Sequence, residues 1–172
     1  MSGTPVPDEW LLLSEPDRGA LESDFVQAAL RSPRWSQGPM VARFEQAFAQ
    51  IHGRAFGVAV ASGTIGTWLA LRALGIGPGD EVIAPAYAWH QVAHAVSLCG
   101  ARVVLADIDY WSGCLDPVRA AARVTPATKA LIAGNVNGHP ADWDGLRALA
   151  AQHGLALLED STEAVGSRYR GR

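Results

Sequence analysis

The stretch EVIAPAYAWHQVAHAVSLCGARVVLA, residues 81–106, predicts a strand, a helix and a second strand. Its first and last parts, residues 81–84 and 102–106, are short apolar runs, whereas residues 89–98 carry apolar side chains at helical spacing. Short runs that are apolar throughout are typical of strands buried on both faces of a parallel sheet. Residues 81–106 therefore predict one βαβ unit.

The alternation of strand and helix continues on both sides of this unit. We expect an α/β fold, a mostly parallel sheet with helices on both faces, in residues 56–172. An N-terminal segment with two leading helices, residues 1–55, precedes it. The remaining predicted strands are residues 56–61, 130–133 and 155–158, and the remaining predicted helices are residues 20–30, 41–51, 64–74, 117–123 and 143–153.

Composition narrows the possible function. The 172 residues, 49% of them hydrophobic, suffice for one α/β domain with a sizeable core. A net charge of -3 with scattered arginines predicts binding neither to nucleic acid nor to a membrane. Cys99 and Cys114 alone indicate neither a disulfide framework nor a metal site. The apolar run at residues 11–13 is too short for a signal peptide or a membrane span, so we expect a cytoplasmic protein.

The turn after the first predicted strand, residues 61–67 (ASGTIGT), opens a predicted helix. The free N–H groups and the positive dipole end of a helix N-terminus attract anions, and phosphate is the ligand we expect at such a turn. An alternative is that Ser62 or Thr64 serves only as the cap of the helix. The turn taken alone is compatible with both interpretations.

Aromatic and acidic residues follow two other predicted strands. Tyr87 and Trp89 come after residues 81–84, and a flat cofactor ring could stack there; the alternative is that Trp89 is a core aromatic on its helix, the commoner case for an isolated Trp. Asp160 comes directly after an apolar run, where an acid must be paired, solvated or functional. An ionised Asp160 against a pyridine ring would keep the ring nitrogen protonated. The alternative is a helix cap or a structural ion pair.

Several motifs in a fixed order carry a family resemblance. They are Ser62-Gly63-Thr64 with Leu69-Ala70-Leu71, residues 77–83 (GPGDEVI), 85–89 (PAYAW), 125–130 (TPATKA) and 138–142 (GHPAD), Glu159-Asp160, and Ala164-Val165-Gly166. Together they closely resemble the DegT/StrS-type sugar aminotransferases over nearly the whole chain. The resemblance implies the large-domain fold of the fold-type I aminotransferases and their cofactor, pyridoxal 5'-phosphate (PLP).

The resemblance also implies individual roles. Thr64 and the amide of Ile65 match the pair that binds the cofactor phosphate. Trp89 matches the aromatic residue that stacks on the ring, and Asp160 matches the partner of the pyridine nitrogen. The implied cofactor-binding residues are Ser62, Gly63, Thr64, Ile65, Trp89, Asp160 and Glu163.

Two positions depart from the family pattern. Glu163 stands where the family usually has Gln near the ring oxygen, and Asn135 stands where it usually has His. A carboxylate beside a phenolate-like oxygen repels it unless the carboxylate is protonated or turned away. We therefore expect Glu163 and Asn135 to alter the usual cofactor contacts.

The family's Schiff-base lysine has no match in this sequence. In the family it follows the segment that matches residues 165–171, and Lys129, the only lysine, matches a strand start at the opposite end of the sheet. The resemblance thus implies no catalytic residue in this chain, a sheet that is incomplete at its C-terminal end, and no transamination by the chain alone. A split enzyme with a complementary lysine-bearing subunit, a truncated fragment and a pseudo-enzyme all remain open.

The resemblance implies the N-terminal half of a PLP-dependent sugar or cyclitol aminotransferase of amino sugar biosynthesis in secondary metabolism. Within a heterodimer, it would help move an amino group from a donor such as glutamate or glutamine to a keto-sugar or keto-cyclitol. Two alternatives are a non-catalytic scaffold or regulatory partner of a full-length homologous aminotransferase, and part of a PLP-dependent sugar dehydratase.

Overall fold

The computed structural model describes residues 16–171 and divides the chain into two compact units, one that ends at Ala59 and one that begins at Val60. The apolar run at residues 11–13, on which the expected location partly rests, lies outside the described residues. Within the described part, no helix is long and apolar enough to cross a membrane.

The first unit contains the two predicted leading helices, α1 (Ala20–Arg31) and α2 (Pro39–Ile51). Helix α1 begins where the backbone N–H of Gly19 donates to Glu22 Oε2 at 2.7 Å, which satisfies one of the free amides of a helix start. Helix α2 begins with Pro39, whose missing N–H costs nothing in the first turn.

The second unit is a parallel four-stranded sheet, which confirms the predicted fold class. Its strand order is β2-β1-β3-β4. The strands are β1 (Glu81–Pro85), β2 (Arg102–Ala106), β3 (Thr128–Gly134) and β4 (Ala156–Asp160). The helices are α3 (Gly63–Ala73), α4 (Gln91–Leu98), α5 (Pro117–Ala121) and α6 (Trp143–His153), with a short 3-10 turn at Val136–Gly138.

Helices cover both faces of the sheet because successive strand residues point to opposite faces. On one face Val82 packs in a buried cluster with Leu71 of α3 and Val96 of α4. On the other face Ile83 packs with Leu146 of α6. Each central strand is therefore buried on both faces, which explains its continuous apolar sequence.

The amino end of the sheet is closed by a polar cluster around Glu81, which is buried. Glu81 accepts a hydrogen bond from Thr125 Oγ1 at 2.7 Å and forms an ion pair with Arg102 of the neighbouring strand. The Thr125 hydroxyl is the main cause that lowers the pKa of Glu81, and burial opposes it. This cluster joins β1 to β2 and to the loop before β3.

The prediction of a strand at residues 56–61 is wrong. Those residues pair with no strand among residues 16–171, and Phe56 and Val58 are 87% and 77% exposed. The backbone N–H of Ala59 instead donates to Glu45 Oε1 at 2.7 Å. An apolar, β-branched run becomes a strand only where a neighbour accepts its backbone hydrogen bonds, and sequence pattern does not report that neighbour.

Candidate functional site

The candidate site lies at the carboxyl edge of the sheet, where ligands bind in open α/β sheets. Because all strand pairs are parallel, the last residues of the strands lie along one edge, with Gly134 of β3 in register with Asp160 of β4. The turn before α3 and the segment between β1 and α4 supply the other predicted residues.

Asp160 is the half-buried carboxylate at this edge, and both of its oxygens accept hydrogen bonds. Oδ1 accepts from Thr162 Oγ1 at 2.6 Å and from the Thr162 backbone N–H at 3.4 Å. Oδ2 accepts from Gln91 Nε2 at 3.3 Å. Asp160 forms no ion pair with any residue between 16 and 171 and caps no helix there, which argues against its purely structural alternatives.

The turn at the start of α3 combines a capped and an uncapped part. Ser62 is the N-cap residue, and its Oγ accepts from the Ile65 N–H at 3.4 Å, so the predicted capping interaction is present. The N–H groups of Gly63 and Thr64, and the Thr64 hydroxyl, have no hydrogen-bond partner among the described residues. The turn therefore presents free donors to an anion, although the Ile65 amide, one of the expected phosphate ligands, is engaged by Ser62.

The turn and Asp160 are neighbours, and Gln91 connects them. A Cβ atom placed on Gly63 would lie 2.5 Å from Gln91 Oε1, so the Gln91 amide packs directly against Gly63. The other end of the same amide donates to Asp160. The structure thus brings together two of the sequence-predicted positions, Gly63 and Asp160.

Trp89 precedes α4 and is 69% exposed, so the alternative of a core aromatic is wrong. Its ring centroid lies 5.2 Å from that of His90, at a tilt of 38°. His90 in turn makes an edge-on contact with His94, with 4.9 Å between the ring centroids. Trp89 is therefore free to offer a ring face at the carboxyl edge of β1.

Asn135, the position at which the family usually has His, is buried and makes four hydrogen bonds. Its Nδ2 donates to Glu159 Oε1 at 3.0 Å and to Ser161 Oγ at 2.7 Å. Its Oδ1 accepts from the Ala141 N–H at 2.9 Å and from Trp143 Nε1 at 2.8 Å. Asn135 therefore ties the end of β3 to the residues on both sides of Asp160 and to the start of α6.

The Glu163 carboxylate makes no hydrogen bond to Asp160, Gln91 or Thr162. Its Oε2 accepts from the backbone N–H of Asn137 at 3.1 Å, and Asn137 has a left-handed backbone with φ of 50°. The carboxylate is thus held by the loop that follows β3.

Gln91 and Thr162 are site residues that the sequence analysis missed. Thr162 lies two residues after an acid at a strand end, a spacing at which a hydroxyl readily hydrogen-bonds the carboxylate. Gln91 is a polar residue in the first turn of a helix that follows a strand, and its partner lies 69 residues away in the chain. The sequence therefore contains a local signal for Thr162 but none for Gln91.

Lys129 lies far from the candidate site. It is an exposed residue near the amino end of β3, whereas Gly134 at the other end of that strand pairs with Asp160. At a rise of about 3.3 Å per residue, Lys129 is roughly 16 Å from the carboxyl edge. A lysine side chain cannot cover that distance through the core of the sheet.

No group of three or more His, Cys, Asp or Glu side chains between residues 16 and 171 could hold a metal ion. Cys99 and Cys114 are both buried and unpaired with each other, and burial raises the pKa of the Cys99 thiol. The Cys99 thiol donates to the Trp68 carbonyl and the Cys114 thiol to the carbonyls of Ser112 and His139, so neither thiol hydrogen-bonds a predicted cofactor-binding residue.

Three known proteins illustrate what the chain is similar to. The chain is 44% identical, over 99% of its length, to the L-glutamine:2-deoxy-scyllo-inosose aminotransferase of Streptoalloteichus tenebrarius. The X-ray structure of S. venezuelae DesV in complex with a ketimine intermediate is 42% identical and superposes with a TM-score of 0.84 over 88% of the chain. The E coli GDP-4-keto-6-deoxy-D-mannose-3-dehydratase with bound hydrated PLP is 29% identical, with a TM-score of 0.86 over 93% of the chain.

The chain spans less than half of each of these proteins. It covers 42% of the Streptoalloteichus aminotransferase, 42% of DesV and 43% of the dehydratase. The family model for the DegT/DnrJ/EryC1/StrS aminotransferases matches residues 16–172. The chain therefore belongs to the DegT/DnrJ/EryC1/StrS aminotransferase family.

Proposed function

We propose that this chain forms the N-terminal part of a PLP-dependent aminotransferase that acts on a keto-sugar or keto-cyclitol. The observation that carries the proposal is the Asp160 carboxylate. It stands at the carboxyl edge of a parallel sheet, it is oriented by neutral donors on both oxygens, and it lies beside a helix start with free amides. A phosphate and a ring nitrogen on one cofactor require such a pair of sites.

The turn before α3 fits a phosphate group. The free N–H groups of Gly63 and Thr64 and the Thr64 hydroxyl can donate to phosphate oxygens, and the helix dipole adds favourable electrostatics. Ser62 holds the turn through Ile65. In this proposal Ile65 contributes by shaping the turn, because its amide already has a partner.

Asp160 fits the pyridine nitrogen. Neither of its described donors, Gln91 and Thr162, carries a charge, so its negative charge remains available to a protonated ring. Bound PLP supplies an electron sink for the substrate carbon that loses a proton. Asp160 serves that sink by keeping the ring nitrogen protonated.

Trp89 and Glu163 complete the proposed cofactor environment. The exposed Trp89 ring can stack on the cofactor face. Glu163 directs its carboxylate to the Asn137 amide, which keeps its charge from facing a ring oxygen. In this proposal Glu163 borders the site and makes no direct hydrogen bond to the ring.

We further propose that the Schiff-base lysine comes from residues outside this sequence, because Lys129 lies at the wrong end of the sheet. A complementary subunit in a split, heterodimeric enzyme and a continuous longer chain are both compatible with this requirement. The donor and acceptor of the Streptoalloteichus relative, L-glutamine and 2-deoxy-scyllo-inosose, favour an amino-acid donor and a cyclic keto acceptor.

A sugar dehydratase is the second candidate, since the E coli dehydratase shares the fold and binds PLP. The two candidates differ in product, because a transaminase leaves an amine on the acceptor and a dehydratase does not. The higher identity to the Streptoalloteichus aminotransferase, 44% against 29%, favours transamination.

The proposal is tested by titrating the purified chain with pyridoxamine 5'-phosphate (PMP), which has no aldehyde and cannot react with Lys129. Thr64→Ala should weaken PMP binding about tenfold or more, since it removes a hydrogen bond to a charged group. Asp160→Asn should also weaken binding. Asp24→Asn, an exposed carboxylate of α1, is the matched control and should bind normally. Equal affinity in all four proteins would exclude the candidate site as the cofactor site.

A further inference from the structure

Gln91 contacts two separate parts of the candidate site. It lies half-buried in the first turn of α4, a helix that belongs neither to the turn before α3 nor to β4. Its side-chain amide packs on Gly63 at one end and donates to Asp160 at the other. No other side chain among the described residues makes contacts of this kind to both.

The hydrogen bond from Gln91 to Asp160 constrains the carboxylate differently from the hydrogen bond that Thr162 donates to it. Thr162 is two residues away in the chain, so its hydroxyl can follow any movement of the carboxylate. Gln91 is 69 residues away and is anchored to a helix whose next turns are buried in the core. Its donation at 3.3 Å to Oδ2 is therefore the contact that fixes the carboxylate relative to the rest of the site.

The contact with Gly63 depends on the absence of a side chain there. A Cβ atom on Gly63 would lie 2.5 Å from Gln91 Oε1 and 3.2 Å from both Cδ and Nε2. The Gln91 amide therefore occupies the space that a Cβ atom at position 63 would need, and any larger residue there would displace it. Gly63 is not in the left-handed region of the backbone, so space and not backbone conformation requires glycine at this position.

The side chain of Gln91 is uncharged, and this suits its position between Asp160 and the turn before α3. An Arg or Lys at the same position would bind the carboxylate more strongly but would neutralise the charge that a ring nitrogen needs. A glutamine amide orients the carboxylate and adds no charge. It also brings no second negative charge to a turn that is to accept phosphate.

We propose that Gln91 is a positioning residue that holds the Asp160 carboxylate at a fixed distance from the anion-binding turn of residues 62–65. A cofactor that carries a phosphate at one end and a ring nitrogen at the other engages both places at once, so this distance governs its binding. The inference rests on the proposed cofactor function for its purpose, whereas the contact between Gln91 and Asp160 stands independently of it.

The first test is made on the free, full chain by NMR. The side-chain amide signals of Gln91 are assigned by their loss in Gln91→Met and are then followed in Asp160→Ala. They should shift when Asp160 is removed, because their acceptor is lost. Signals that do not respond to Asp160→Ala would show that Gln91 does not hold this carboxylate and would overturn the proposal.

The second test is a double-mutant cycle read out by PMP affinity. Gln91→Met keeps the bulk of the side chain but removes the donor, and it should weaken PMP binding about threefold to tenfold. In the Asp160→Ala background the same change should have almost no further effect. A purely structural role would instead weaken binding equally in both backgrounds, and that result would refute the proposal. Gln50→Met on α2 is the matched control.

Gly63→Ala provides a second, independent variant. It should displace the Gln91 amide and weaken PMP binding, but it should cost little once Gln91→Ala has removed the obstacle. Additive losses from the two substitutions would contradict the proposed packing. If the unmodified chain binds no PMP, the cofactor proposal fails, and the response of the Gln91 amide signals to Asp160→Ala alone decides whether Gln91 holds Asp160.

Discussion

At the scale of single residues, the candidate site is a set of polar groups whose partners come from distant parts of the chain. Asp160 was identified from the sequence because an acid directly after an apolar run requires an explanation. Its partner Gln91 was not, since no local pattern indicates a hydrogen bond across 69 residues. In the sequence Asn135 stands out only as a departure from the family pattern, whereas in the structure it is buried and makes four hydrogen bonds.

Asn135→Ala is expected to destabilise the fold. The substitution leaves the Trp143 indole N–H and the Ala141 amide without their acceptor in a buried place. Because each of these two unsatisfied buried donors costs about 1 to 3 kcal/mol, the free energy of unfolding should fall by about 2 to 6 kcal/mol. Urea denaturation followed by tryptophan fluorescence measures the change, with Gln50→Ala as an exposed control. A loss below about 0.5 kcal/mol, typical of a surface position, would contradict this role.

At the scale of secondary structure, four of the five strands predicted from the sequence are present, and the sequence also predicts every α-helix that the structure describes. Central strands covered on both faces show continuous apolar runs, and helices show apolar periodicity, so both patterns are local. Residues 56–61 have the same apolar character but form no strand, because strand formation depends on a pairing partner that lies elsewhere. The ends of some elements also differ from the predicted ones. Helix α4, for example, was expected to begin at residue 89 but begins at Gln91, so that Trp89 lies in the preceding segment.

The polar cluster at the amino end of the sheet predicts a pH dependence of stability. The Thr125 hydroxyl lowers the pKa of Glu81 in the folded protein from its ordinary value of 4.5. A carboxyl group with a lowered folded pKa stabilises the fold above its ordinary pKa and loses that contribution as the pH falls through the lowered value. Stability should therefore decline on acidification below about pH 4.5.

Thr125→Val removes the main cause of that lowering and should reduce the free energy of unfolding near neutral pH more than in acid. The measurement is urea denaturation across the acid range, with Thr67→Val on α3 as the matched control, since the Thr67 hydroxyl has no partner among the described residues. An equal loss at every pH would indicate that Thr125 acts only through packing.

At the scale of the whole molecule, the chain places Asp160 at the carboxyl edge of the sheet and its only lysine, Lys129, near the opposite edge. It spans 42% of the Streptoalloteichus aminotransferase and 42% of DesV. The fold class follows from the sequence because βα alternation has few solutions. A Schiff-base lysine could not be predicted from the sequence, because the only lysine, Lys129, does not match the family's position for it.

Lys129 is expected to have no role in cofactor attachment. PLP added to the chain and reduced with borohydride should give, at most, slow labelling of Lys129 that is unchanged by Thr64→Ala or Asp160→Asn. Peptide mass spectrometry locates the label, and Lys129→Arg is the control that removes it. Rapid labelling of Lys129 that depends on both Thr64 and Asp160 would mean that Lys129 reaches the site after all.

The central claim is that Asp160 faces the ring nitrogen of a bound pyridine cofactor. It is tested most directly by the chemical shift of the ring nitrogen in ¹⁵N-labelled PMP bound to the chain, at an alkaline pH where free PMP has lost the proton from that nitrogen. The account predicts a protonated ring nitrogen in the complex with the unmodified chain and an unprotonated one in the complex with Asp160→Asn, because a neutral amide cannot stabilise the pyridinium charge. A bound ring nitrogen with the same protonation state in both complexes would contradict it.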